Sequence, residues 1–155
     1  MYSKDEEKAL RVAFWKKLEA LSRKLPGQNG HIRRWIGDRT GVSGLDLRFD
    51  VNREKVYVAI EINKRNEERR IYLYEKIQAA KSIIEEAYGA PLIWNPLFTK
   101  ENDILVCRIY EAIDGDLLDE TKWPAMHEFM LDRMVRLERA YLEVKDFMKH
   151  EDFVG

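Results

Sequence analysis

Leu45-Asp46-Leu47-Arg48-Phe49-Asp50-Val51 and Val56-Tyr57-Val58-Ala59-Ile60-Glu61-Ile62, joined by Asn52-Arg53-Glu54-Lys55, decide the fold. In the first stretch Leu45, Leu47, Phe49 and Val51 alternate with Asp46, Arg48 and Asp50. In the second, Val56, Val58, Ile60 and Ile62 keep the same period of two. Successive strand side chains point to opposite faces, so this pattern predicts two strands with one apolar and one polar face. Their β-branched and aromatic residues suit a half-buried pleated surface. The polar residues between them read as a hairpin loop.

On either side the period changes to that of a helix. Leu10, Phe14, Leu18, Leu21 and Leu25 recur at helical spacing after Ser3, Asp5 and Glu6, a cap and an acidic first turn, and Pro26-Gly27 closes the run. Leu73, Ile77, Ala80, Ile84 and Ala87 form a second stripe, ended by Gly89 and Pro91. A third follows Pro124, with Phe129, Met130, Met134, Leu137, Tyr141, Val144 and Met148. Pro91–Leu97 and Asp103–Glu111 are predicted strands, the second apolar enough for burial on both faces. His31–Ile36, inside a glycine-rich passage, reads as a short edge strand. The expectation is a single α+β domain over residues 1–155, with a mainly antiparallel or mixed sheet of four or five strands and three long helices. The element order is α-(β)-β-β-α-β-β-α.

Composition narrows the function classes. With 155 residues, 35% charged and 45% hydrophobic, the chain suits one globular core and not a disordered segment. Its 27 Lys and Arg against 28 Asp and Glu give no overall electrostatic case for a polyanion, leaving only a local basic face. No run approaches the roughly 18–20 apolar residues of a membrane span. The charged start Ser3-Lys4-Asp5-Glu6-Glu7 has no apolar leader core, so the expected location is cytoplasmic. The lone cysteine, Cys107, can form no intramolecular disulfide, which fits a reducing compartment.

Candidate chemistry is sparse. His31, His127 and His150 match no metal-ligand spacing and read as structural or solvated. Cys107, among apolar neighbours, reads as an inert thiol. Asp46 and Asp50 share one strand face, and Glu61 with Lys64 ends the partner strand. Carboxylates converging on a sheet face can hold Mg²⁺ beside a lysine that supports a water nucleophile. Restriction-endonuclease-like folds resemble this order of helix, hairpin with Asp and then Glu-x-Lys, and helix. Here the motif is Glu61-Ile62-Asn63-Lys64, so period-two alternation sends Glu61 and Lys64 to opposite faces, and Asn63 stands where that pattern has lysine. The first expectation is therefore no catalytic residue and no cofactor. The alternative is a metal-dependent nuclease using Asp46, Asp50, Glu61 and Lys64 with Mg²⁺.

Arg33, Arg34 and Arg39 around Trp35 form a local basic and aromatic cluster. Such a cluster either contacts nucleic-acid phosphates and stacks a base, or is a solvated loop with Trp35 packed on the sheet. The Met and Phe stripe of the last helix is either core or a partner surface, including that of a homodimer. A further set of motifs extends through the chain: Gly41-Val42-Ser43-Gly44-Leu45-Asp46-Leu47, Val58-Ala59-Ile60-Glu61-Ile62, Gly89-Ala90-Pro91-Leu92-Ile93-Trp94, Asp114-Gly115-Asp116 and Trp123-Pro124, with Phe14-Trp15 upstream. In this order they resemble the bacterial domain of unknown function 4268 family. Domains of that family stand alone or follow a nuclease-like domain. The resemblance thus implies an accessory or recognition role, with nucleic acid or a nuclease-type protein as partner. The family pattern has acidic residues near Ala59 and Asn95, which this chain lacks.

Overall fold

The computed structural model describes residues 2–25 and 40–150. The predicted strand at His31–Ile36 lies outside them. Helix α1, Lys4–Ser22, starts on a capping box. The Glu6 amide donates to Ser3 Oγ at 3.1 Å, and the Ser3 amide donates to Glu6 Oε1 at 3.4 Å. The hairpin follows as β1, Leu45–Val51, and β2, Lys55–Ile62, in the register Leu47↔Ile60 and Phe49↔Val58. The second helical stripe forms two helices, α2, Glu67–Gln78, and α3, Lys81–Tyr88. The break is a tightened turn in which the Ala80 amide bonds the Ile77 carbonyl, with no glycine or proline to announce it. Strands β3, Ile93–Thr99, and β4, Leu105–Asp114, begin two residues later than the sequence pattern suggested. Helix α4 spans Trp123–Lys149 with Pro124 in its first turn.

Among the described residues the four strands form one antiparallel sheet in the order β1-β2-β4-β3. Helices α2 and α4 pack on one side of it, and α3 packs on α4. Val56, Val58, Ile60, Ile62, Cys107 and Ile109 turn to that side and meet Leu73, Ile77, Ile84, Met130, Met134 and Leu137. The methionine stripe of α4 is therefore core and not a partner surface: Met130, Met134 and Met148 are buried. Central strand β4 is buried on both faces, as its composition implied, although Arg108 contributes to that burial. Edge strand β3 is unsuited to pairing with another chain. It carries Pro96, a register break between Asn95 and Phe98, and a Leu97 amide already bonded to Asn95 Oδ1 at 2.9 Å. Among the described residues no helix is long and apolar enough to cross a membrane.

His127 belongs to the core. Its Nε2–H donates to the Phe14 carbonyl at 3.0 Å, and its ring lies 4.3 Å from that of Phe14, joining α4 to α1. Burial pushes its pKa below the ordinary histidine value, aided by the charge of Lys17 and opposed by the Phe14 carbonyl. The folded state thus holds a neutral imidazole, while the unfolded chain binds a proton below about pH 6.5. The His127 contribution is complete above that value and is lost as pH falls through the folded pKa. Urea unfolding should accordingly give a lower stability at pH 5.5 than at pH 7.5, with the difference shrinking in His127→Gln. A wild-type stability flat across this window would refute the assignment.

Candidate functional site

The sheet face opposite the helices carries Asp46, Arg48 and Asp50 from β1, Tyr57, Ala59 and Glu61 from β2, and Arg108 and Tyr110 from β4. The register aligns Asp46, Glu61, Arg108 and Asn95 in one row across all four strands. Period-two alternation puts the carboxylates on this face, and strand order sets a guanidinium beside them.

Arg108 organises the group. Its Nη2 donates to Glu61 Oε1 at 2.6 Å and its Nη1 to Asp50 Oδ2 at 3.0 Å. Asp50 is opposite Tyr57 whereas Arg108 is opposite Glu61, so the second bond crosses β2 diagonally at the level of Ala59. A methyl group there leaves room for the crossing. The guanidinium carbon lies 4.1 Å from the Phe98 ring centroid and 5.3 Å from that of Tyr57. Tyr57, Phe98 and Tyr110 close a triangle of rings with centroids 5.3–5.6 Å apart. Under this cover the side chains of Arg108 and Glu61 are both 0% exposed.

Glu61 gathers further donors. Asn63 Nδ2 bonds its Oε2 at 3.1 Å and Asp46 Oδ2 at 2.8 Å, bridging the two carboxylates with one amide. Lys100 Nζ lies 3.3 Å and Arg48 Nε 3.4 Å from the same Oε2. Burial pushes the Glu61 pKa up, but the hydrogen bonds from Arg108 and Asn63 and the charge of Arg48 outweigh it and hold the carboxyl below its ordinary value. The carboxylate is therefore ionised at neutral pH. Burial, and next the neighbouring Tyr110, raise the Tyr57 pKa, so that phenol stays neutral.

Asp46, Asp50 and Glu61 do share a face, but Lys64 is not with them. Strand β2 ends at Ile62, and Lys64 Nζ turns away to Ser43 Oγ at 3.0 Å. The lysine beside Glu61 is Lys100, from the β3–β4 connection. The arrangement does not fit a divalent cation: Arg108 and Asn63 stand where an ion would bridge the carboxylates. Among the described residues no three His, Cys, Asp or Glu side chains form a metal-binding group. Arg33, Arg34, Trp35 and Arg39 lie outside the described residues. Arg108 and Lys100 escaped the sequence reading. The available signal was one arginine inside the apolar run Leu105–Ile109, where a charge is rarely buried unless paired.

A family model, Domain of unknown function (DUF4268), matches residues 10–145, from within α1 to within α4. The chain belongs to the DUF4268 family. No curated protein and no solved structure matches it. Every member of the Arg108–Glu61 network falls inside the DUF4268 match.

Removing one partner of a buried pair strands the other charge, at about 3–5 kcal/mol. Urea unfolding at pH 7 should show a loss of this size for Arg108→Met in the DUF4268 chain. Asp50→Asn, at a partly exposed carboxylate, should cost about 1 kcal/mol or less. The double variant Arg108→Met/Glu61→Leu should recover most of the Arg108→Met loss. Equal losses for Arg108→Met and Asp50→Asn would show that Arg108 is not the organising group. Because the Glu61 pKa is lowered on folding, its contribution is complete above about pH 4.3 and declines as pH falls through the folded value.

Proposed function

We propose that this DUF4268 chain is a non-catalytic interaction domain that associates with nucleic acid. The observation carrying the first half is the engagement of the sheet-face carboxylates by Arg108, Asn63, Arg48 and Lys100. A hydrolytic metal site needs carboxylate oxygens free to ligate, and here both Glu61 oxygens, Asp46 Oδ2 and Asp50 Oδ2 already accept from the domain's own side chains. Glu61, moreover, is closed to substrate by burial.

Two features support nucleic acid as the partner. The segment Arg33-Arg34-Trp35 with Arg39 combines cations and an aromatic suited to phosphate contact and base stacking. A second set of cations, Lys64, Arg65 and Lys149, has no carboxylate within ion-pair distance among the described residues. Phosphate recognition uses unneutralised charge of this kind. A metal-dependent nuclease is the second reading, favoured by the shared face of Asp46, Asp50 and Glu61 and by the approach of Lys100 to Glu61. It requires Mg²⁺ to displace Arg108.

Labelled single-stranded and duplex DNA and RNA, incubated with the chain and Mg²⁺ or Mn²⁺, separate these readings. The expected result is salt-sensitive binding without cleavage, unchanged in Asp46→Asn and Asp50→Asn and weakened by Arg33→Glu/Arg34→Glu. Cleavage abolished by Asp46→Asn would establish the nuclease instead. Sedimentation in the same buffer reports whether the binding species is a homodimer.

A further inference from the structure

The loop Thr40–Leu45, between the sheet and the end of α4, contains a second arrangement that the sheet-face network does not use. We infer that it is a phosphate-binding site, and that the phosphate it takes is one of a nucleic-acid backbone. This rests on the nucleic-acid reading above and deepens it by naming the contact.

Hydrogen bonds tie the loop down at both ends. Thr40 Oγ1 donates to the Leu45 carbonyl at 2.6 Å, and the Val42 amide donates to Thr40 Oγ1 at 3.2 Å. The buried Tyr141 hydroxyl of α4 donates to the Thr40 carbonyl at 2.8 Å, and the Asn63 amide to the Gly44 carbonyl at 2.8 Å. Both ends of the loop are thus fixed to the core. Between them Gly41 and Gly44 have φ of +85° and +83°, a backbone region that side chains rarely adopt.

Each glycine also lies under a lysine. A Cβ at Gly44 would sit 2.4 Å from Lys64 Cγ, and one at Gly41 would sit 2.8 Å from Lys149 Cδ. Absence of side chains lets two lysine stems, one from the end of β2 and one from the end of α4, lie flat on the same short loop. Lys64 is held there by its bond to Ser43 Oγ at 3.0 Å. An ammonium can only donate, so Ser43 accepts and its own O–H remains available to a ligand oxygen. The Gly41, Ser43 and Gly44 amides make no hydrogen bond to another described residue. Arg70 adds positive charge next to Lys64, its Nη1 donating to the Lys64 and Arg65 carbonyls at 3.0 and 3.4 Å.

Cations, a hydroxyl and free amides on a fixed glycine loop are the donor set that a phosphate requires. The contrast with the sheet face supports the assignment. There Arg48, Lys100 and Arg108 each meet a carboxylate, whereas Lys64 and Lys149 meet none among the described residues. The Asp46 carboxylate, next in sequence, is engaged by Asn63.

The test measures fluorescence anisotropy of a labelled oligonucleotide against the full chain from 50 to 200 mM salt. Lys64→Ala/Lys149→Ala is compared with Lys55→Ala, whose lysine pairs with Asp114 away from the loop. The loop variant should lower the slope of log affinity against log salt by about 2, one for each lysine, while Lys55→Ala leaves it unchanged. Inorganic phosphate is titrated in parallel while amide resonances are followed, and Gly41, Ser43 and Gly44 should shift in the wild type but not in the double variant. Oligonucleotide binding with an unaltered slope in the loop variant overturns the site and leaves the nucleic-acid reading standing. Phosphate-dependent shifts without oligonucleotide binding overturn that reading and leave a site for a phosphate from another source. Neither response overturns both.

Discussion

A guanidinium and a carboxylate withdrawn from water each forfeit several kcal/mol of hydration, and their mutual attraction restores it only with good geometry and further hydrogen bonds. Arg108 and Glu61 meet that condition through their neighbours. Glu61 has Asn63, Arg48 and Lys100 besides Arg108, and Arg108 has Asp50 and two aromatic rings. The satisfaction is incomplete, because Arg108 Nε is buried with no acceptor among the described residues. Such a pair is a poor source of net stability compared with apolar packing, but a demanding specification of arrangement. It is satisfied only if β4 lies beside β2 in the observed register, if Asp50 is brought within reach, and if position 59 is small.

That specification explains features that would otherwise be unrelated. Ladder hydrogen bonds tolerate a slip in register; a bond running diagonally from β4 across β2 to β1 does not. Tyr57, Phe98 and Tyr110 then act as a roof that keeps water from the pair, on a sheet face where solvated side chains are the rule for antiparallel sheets. Lys100 draws the β3–β4 connection down to Glu61, which includes the edge strand in the same constraint. The face is fixed by its own charges.

The sequence made one side of this legible and hid the other. Strand periodicity is local, so Leu45–Val51 and Val56–Ile62 disclosed their apolar face and, by parity, the shared face of Asp46, Asp50 and Glu61. Neighbour relations between strands are not local. Nothing near Leu105–Ile109 states that β4 inserts beside β2, so the partner of Glu61 could not be read although Arg108 was in plain view. The same limit affected α4: its methionines have the spacing of a buried stripe and of a docking surface alike, and only the packing of α2, α3 and the sheet distinguishes them. Lys64 was legible by the same parity: three residues beyond Glu61, it belongs to the opposite face, and its Nζ turns away to Ser43 Oγ.

The position next to Lys64 shows how the chain's own side chains hold the acidic face together. Asn63 stands where the nuclease pattern has lysine, and its amide reaches Asp46 and Glu61 together. An ammonium there would add a cation to a group in which Arg48, Lys100 and Arg108 already face Asp46, Asp50 and Glu61. A neutral donor bridges the carboxylates without disturbing that balance. A catalytic lysine, by contrast, serves to poise water beside a metal whose ligands are free. Asparagine here bridges Asp46 and Glu61, Arg108 joins Glu61 to Asp50, and the lysine that follows turns off the row to Ser43 Oγ.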